Sequence, residues 1–353
     1  MQEPSDEKQT ALEADEPEEE EDLVAEEGVA EYEKELEEEE ERKASPVKEP
    51  EPPRIRRLDV VGRRNIFFLL SLLIIIPGIV SMSTKHFLLG IDFAGGTETT
   101  ITVGHNVSIA DVQNTVDGEG TDGSVVSAGN GYIIRTPVLS QDRQTQLEND
   151  LKSKDGAVIQ QVLEVGGTIA KETVTFALLA LVLASVGILL LLAIRFRNVP
   201  GGWRAGFQFG GSALAALLHD VFLLTGLFSI MGTVLHWQIG QIDSLFVTAV
   251  LTVVGFSVHD TIVVFDRIRE NLRVSQRLSF EQVVNLSIMQ TAARSIITSF
   301  TVVLVLVAIL VAGGSTLKGF ALALLIGIVS GTYSSIFNAA PLLVVWRRLQ
   351  PVR

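Results

Sequence analysis

The 353-residue sequence has no cysteine, which excludes disulfide frameworks, thiolate zinc sites and cysteine nucleophiles in one step, while saying nothing about compartment. Histidine is scarce: five scattered residues form no ligand cluster, so no metal site is expected. There is no GxxxxGK[ST] phosphate loop and no serine in a nucleophile setting. Neither an ATPase nor any other enzyme is expected, and nothing calls for a cofactor or a nucleic-acid partner.

Charge is also missing over long distances. Six stretches reach the roughly 20 apolar residues needed to cross a bilayer core. They run over residues 65–84, 173–194, 206–230, 244–265, 295–313 and 319–346. Deep inside them the only ionisable groups are two His-Asp pairs, so the chain reads as an integral membrane protein embedded in a lipid bilayer. The first apolar run starts only at Asn65 and is long enough to remain as a span, so no removable signal peptide is expected.

The net charge of -14 looks too acidic for a protein beside anionic lipid, but it is segregated. Residues 1–53 hold 23 acidic and 5 basic side chains, and the other 300 residues hold 19 acidic and 23 basic, a net of +4. Runs such as Glu18 to Asp22 and Glu37 to Glu41 repel themselves and bury too little apolar surface to offset ordering entropy. This acidic tail is expected to be disordered and cytoplasmic.

Arginines orient the spans. Arg54, Arg56, Arg57, Arg63 and Arg64 precede span one, within a segment 54–84 that joins basic flank to span. Arg195, Arg197 and Arg204 join spans two and three; Arg267, Arg269, Arg273, Arg277 and Arg294 lie between spans four and five; Arg347, Arg348 and Arg353 follow span six, in a C-terminal segment 347–353. The opposite short loops, 231–243 and 314–318, offer only Lys318. The positive-inside rule then places both termini in the cytoplasm.

The connection 85–172 is long and mixed in polarity, as expected of a small outer domain. Thr97 to Val103 alternates as a strand, and Ser108 to Val116 reads as a helix behind a serine cap. Ser124 to Ala128 and Tyr132 to Thr136 flank the hairpin signal Gly129-Asn130-Gly131. A polar-faced helix, Gln141 to Lys154, precedes a last strand, Val158 to Val165. The order βαββαβ is the split βαβ arrangement of ferredoxin-like α+β domains, followed by the remaining bundle over 173–346. Between spans four and five, Ser279 with Gln282 makes a capping box for an amphipathic helix, Phe280 to Ala292, expected on the cytoplasmic interface.

Asp260 lies about six residues, roughly 9 Å, inside the cytoplasmic end of span four. Burial favours its protonated form and a nearby cation favours the carboxylate, so such a group changes state as its surroundings change. Arg294, at the start of span five, is the partner expected from position; the other reading is a headgroup-seeking anchor. His219-Asp220, near the middle of span three, is either a second proton-relay station or a structural hydrogen-bonding pair. His259 points about 100° away from Asp260 and is expected to pack. Gly206 with Gly210, and Gly327 with Gly331, have the spacing for close helix approach, while Ser335 and Asn338 extend a polar stripe on span six.

Three segments together resemble the SecF family of the bacterial Sec system: Gly90-Ile91-Asp92-Phe93-Ala94-Gly95-Gly96, Leu218-His219-Asp220-Val221, and Gly255 through Asn271, which reads GFSVHDTIVVFDRIREN. The likeness covers about residues 60–346 and leaves out the acidic tail. It implies one six-helix half of an RND-type transporter in the bacterial inner membrane, with SecD supplying the other half. It further implies help to the SecYEG channel and the ATPase SecA, by using the proton motive force to move translocating polypeptide on the outer side. The resemblance makes Asp260 and Arg294 proton-pathway residues, and gives Asp92, Gly95 and Gly96 a structural part in the turn after span one. Two alternatives from other classes are a proton-coupled exporter of small lipophilic molecules and a passive scaffold for the translocon.

Overall fold

The computed structural model describes residues 59–104, 107–128, 131–274 and 277–350. The acidic segment 1–53, Arg54, Arg56, Arg57, the turn residues Gly129 and Asn130, and Arg353 lie outside the described residues.

Six helices among the described residues are long and apolar enough to cross a membrane. Span one is α1 (Arg64–Thr84). The small domain follows it: β1 (Gly96–Thr102), α2 (Ile109–Gly118), β2 (Ser124–Ala128), β3 (Gly131–Thr136), α3 (Gln141–Lys154) and β4 (Val158–Val165). Spans two to five are α4 (Gly167–Arg195), α5 (Gly202–Ser229), α6 (Ser244–Val274) and α7 (Phe280–Ala312). Span six combines α8 (Ser315–Ser334), a π-helical stretch (Ser335–Ala339) and α9 (Ala340–Leu349).

The small domain is a four-stranded sheet in the order β2-β3-β1-β4, with every neighbouring pair antiparallel. β1 and β2 therefore run parallel with β3 between them, which is the split βαβ order. Alternation along β1 and β3 turns Ile101 and Ile134 onto the two helices, where they join Val112, Val116, Leu147 and Leu151 in a buried core. The capping box of α2 forms as its sequence signals, Ser108 Oγ accepting from Asp111 N while Asp111 accepts from Ser108 N.

The spans pack through small residues. A Cβ on Gly206 would lie 2.4 Å from Ala193 O, and one on Gly210 would lie 3.1 Å from Leu189 O, so spans two and three touch backbone to backbone. Gly327 and Gly331 seat span six against Val253 and Ser257 of span four. Gly78 and Gly226 bring spans one and three equally close.

One boundary differs from expectation. Phe280 to Ala292 is not a separate interfacial helix, because α7 continues without a break to Ala312. No glycine or proline interrupts it, and Val283, Val284, Ser287, Ile288 and Thr291 are buried against the bundle rather than presented to headgroups. Its predicted capping box, Ser279 with Gln282, is present.

Candidate functional site

Two carboxylates sit inside the bundle. On α6, Val253, Ser257, Asp260, Val264 and Ile268 fall at helical spacing on one buried face, so the periodicity that packs the valines also turns Asp260 inward. Asp260 is 7% exposed. Ser295 Oγ on span five donates to its Oδ1 at 2.5 Å and Ser335 Oγ on span six donates to its Oδ2 at 2.7 Å.

Asp220 is more deeply enclosed, at 1% exposed. It accepts from three serines: Ser257 Oγ at 2.7 Å and Ser334 Oγ at 2.5 Å on Oδ2, and Ser330 Oγ at 2.6 Å on Oδ1. The neighbouring His219 Nδ1 lies 3.1 Å from Oδ1. An ionised carboxylate in apolar surroundings is tolerated only with such partners, because each donated hydrogen bond replaces part of its lost hydration.

Span six supplies most of these donors. Ser330 and Ser334 share a helix face, four residues apart, and the π-helical stretch that begins at Ser335 lets the next serine address the other acid. Pro341 follows that stretch; it has no N–H for the carbonyl four residues earlier, and a proline inside a long apolar span was the available signal for this irregularity. Asn338 Nδ2 donates to Ser71 Oγ of span one at 3.0 Å, and Tyr333 Oη donates to Phe67 O at 3.0 Å. The polar stripe expected at Ser335 and Asn338 is therefore a band of interhelical hydrogen bonds. The other members, Ser257, Ser295, Ser330 and Ser334, were missed, since isolated serines in apolar helices carry no signal until the helix phase is known.

The expected Asp260–Arg294 pair is absent: among the described residues no ion pair joins them. The neighbouring Ser295 faces inward and occupies the carboxylate, which turns Arg294 about 100° away to an exposed position. There it lines a cavity of about 560 Å³ at the arginine-rich end, with Asp266, Arg267, Arg269, Glu270 and Arg273 among its walls. Val263 and Thr291 also line that cavity, one helical turn from Asp260 and Ser295 respectively. His259, expected to pack, is instead exposed. It continues an outward stripe of Ser244, Thr248, Thr252 and Gly255 along α6.

The turn after span one sets Asp92 against the start of span four and Gly95 and Gly96 against the small domain. Asp92 Oδ2 accepts from Ser244 N at 2.9 Å, and Asp243 Oδ1 accepts from Phe246 N at 2.8 Å, so two carboxylates satisfy amides in the first turn of span four. Gly95 has φ +74° and Gly96 has φ +132°, and a Cβ on Gly96 would lie 2.5 Å from Thr136 O. From the small domain, Arg135 Nη1 reaches Gln238 Oε1 at 2.8 Å in the loop before span four.

Burial, with the Asp92 charge adding to it, pushes the Asp243 carboxyl above its ordinary value. A raised folded value means the folded state binds this proton more firmly than the unfolded chain. The contribution is therefore fully present below the ordinary carboxylate value of about 3.9 and is lost as pH rises through the folded value. Asp243→Asn keeps a capping oxygen and removes the charge, so thermal unfolding in detergent at neutral pH should match or exceed that of the parent. Asp243→Ala leaves the Phe246 amide unpaired and should lose about 1 kcal/mol. Equal losses for both variants would show that capping by this side chain contributes nothing.

The sequence model of the family described as protein export membrane protein SecD/SecF, C-terminal, matches residues 146–349. The chain is 45% identical over 304 residues to the protein translocase subunit SecF of Thermobaculum terrenum, covering 82% of this chain and 94% of that protein. It is 33% identical to the protein translocase subunit SecDF of Bacillus subtilis, covering 85% of this chain but only 39% of that longer protein. The crystal structure of SecDF from Thermus thermophilus superposes with a TM-score of 0.74 at 32% identity, over 83% of this chain and 39% of that one. Together with the six spans and the ferredoxin-like domain, these matches show that the chain belongs to the SecD/SecF family of protein export membrane proteins.

Proposed function

We propose that the chain is the SecF-type half of a SecDF complex in the bacterial inner membrane, with both termini cytoplasmic and the small domain outside. In this reading it is not an enzyme. It couples the proton motive force to the completion of polypeptide translocation beside SecYEG and SecA.

The observation that carries the reading is the Asp260 carboxylate, buried in a membrane span, held by two hydroxyls and, among the described residues, by no cation, one helical turn from residues lining a charged open cavity. A carboxylate so placed gains or loses a proton without breaking an ion pair, and the cavity supplies a watery approach from one side. Arg294 is one residue from Ser295 in the chain. A turn of span five of about 100° would exchange the hydroxyl for the guanidinium, giving protonation a helix movement to drive.

A SecD-type partner is supported by the outer face of α6. Ser244, Thr248, Thr252, Gly255 and His259 form an exposed stripe in a membrane span, where lipid would favour apolar side chains. By contrast, the exposed residues of spans one and five include Ile66, Leu69, Leu73, Ile297, Phe300 and Val305. The match to 39% of the SecDF relatives agrees with a half-complex.

The test is reconstitution of the chain with its SecD-type partner in vesicles under an imposed proton gradient. Proton uptake and completion of translocation after ATP depletion should both depend on the gradient. Translocation that proceeds equally without a gradient would leave a passive scaffold, and gradient-driven efflux of lipophilic dyes without effect on polypeptide would favour the exporter.

A further inference from the structure

We infer that Asp220 is a second buried proton-binding carboxylate, placed between Asp260 and the arginine-poor end of the bundle and linked to Asp260 through the adjacent Ser334 and Ser335. The inference rests on the reading of Asp260 as a proton carrier and extends it to a two-station path.

Order along the membrane comes from the donors. Ser257, which holds Asp220, precedes Asp260 on span four by three residues, about 4.5 Å of helix rise toward the arginine-poor end. Span six agrees: Ser330 and Ser334 bond to Asp220, and Ser335, the next residue toward the arginine-rich end, bonds to Asp260. A proton crossing from the arginine-poor side meets Asp220 first.

Competence for protonation comes from the hydroxyls. A buried acid that binds a proton acquires an O–H that needs an acceptor, and a serine that only donates cannot supply one. Ser334 Oγ lies 3.2 Å from Gly331 O as well as 2.5 Å from Asp220, so its hydrogen can turn to the carbonyl while its oxygen accepts from the protonated acid. Ser335 Oγ has the same alternative at Thr332 O, 3.1 Å away. Each acid thus has one hydroxyl partner able to reverse direction, and both protonation states are satisfied without moving a helix.

Among the described residues, only a protonated His219 would fix the Asp220 charge. Its titratable neighbours are His219, Tyr333 beside that ring at 6.3 Å, and Asp260 a turn away; among the described residues no lysine or arginine bonds to either carboxylate. His219 Nε2 is buried and has no hydrogen-bond partner. With Nδ1–H directed at Asp220, Nε2 is an acceptor at the same site.

The test is pH-difference infrared spectroscopy of the complex with its SecD-type partner in lipid nanodiscs, read in the carbonyl-stretch region of protonated carboxylic acids. Against the signal of the chain's other carboxylic acids, two pH-dependent bands are expected from this pair, one lost in Asp260→Asn and the other in Asp220→Asn. Because Asp220→Asn removes a well-bonded group, Ser330→Ala serves as the second variant: Ser330 touches Asp220 alone of the two acids, so only the Asp220 band should shift. If Asp260→Asn removes a band and both changes at the Asp220 site leave the spectrum untouched, Asp260 remains a carrier and the second station is refuted. Loss of a band in Asp220→Asn with none in Asp260→Asn would uphold Asp220 and overturn the reading of Asp260. A spectrum unaffected by any of these changes would overturn both.

Discussion

Asp260→Asn should lower gradient-driven proton uptake by about two orders of magnitude, the scale at which a positioned proton-transferring side chain contributes, while the subunit still accumulates in membranes. Asparagine keeps the size of the side chain and can accept from Ser335 through its carbonyl oxygen, but it cannot bind and release a proton. Its amide nitrogen would face Ser295 Oγ, which now donates to Oδ1 and would have to accept instead, a reversal that a hydroxyl makes readily. Loss of function with retained folding is therefore the expected signature. Arg294→Lys should impair transport less severely, since it keeps the charge and loses the two-pronged geometry that would grip the carboxylate after rotation of span five. Wild-type uptake by Asp260→Asn would remove the proton role and leave a structural acid.

The same site marks where the sequence was informative and where it was not. Depth along a span is legible, because one acidic residue in an apolar run stands out, and both Asp220 and Asp260 were singled out on that ground. Phase around the helix is not. Arg294 and Ser295 are neighbours in sequence, and only packing decides that the serine points at Asp260 and the arginine at the cavity. Arg294 was favoured because it lies in the same half of the bundle and a guanidinium can hold a carboxylate with two bonds, whereas two hydroxyls suffice. The small domain was easier to read: β1 alternates, α2 carries a serine cap, and a glycine-rich turn separates β2 from β3. Span ends were harder. Apolar windows stop where charge begins, but a helix that continues against protein, as α7 does through Val284 and Ile288, needs no apolar outer face.

Leucine at two glycines should separate folding from assembly. Gly226→Leu places a side chain where an ideal Cβ already lies 2.7 Å from the Gly78 Cα, and backbone cannot swing aside as a side chain can. Spans one and three would have to part, also breaking the 2.8 Å hydrogen bond between Ser81 and Ser229, so a loss of about 3 kcal/mol and poor accumulation in the membrane are expected. Gly255→Leu meets no atom within 4 Å of its Cβ, and it replaces the weakest helix former short of proline by a strong one. The isolated subunit should then be as stable as the parent or more so. Gly255 lies in the middle of the exposed stripe from Ser244 to His259, so a branched side chain there should obstruct a helix of the SecD-type partner at close approach. Co-purification of that partner with a tagged Gly255→Leu subunit should fall sharply although the subunit itself accumulates normally. Full recovery of the partner with Gly255→Leu would mean that the stripe faces lipid and that the two halves meet through another surface.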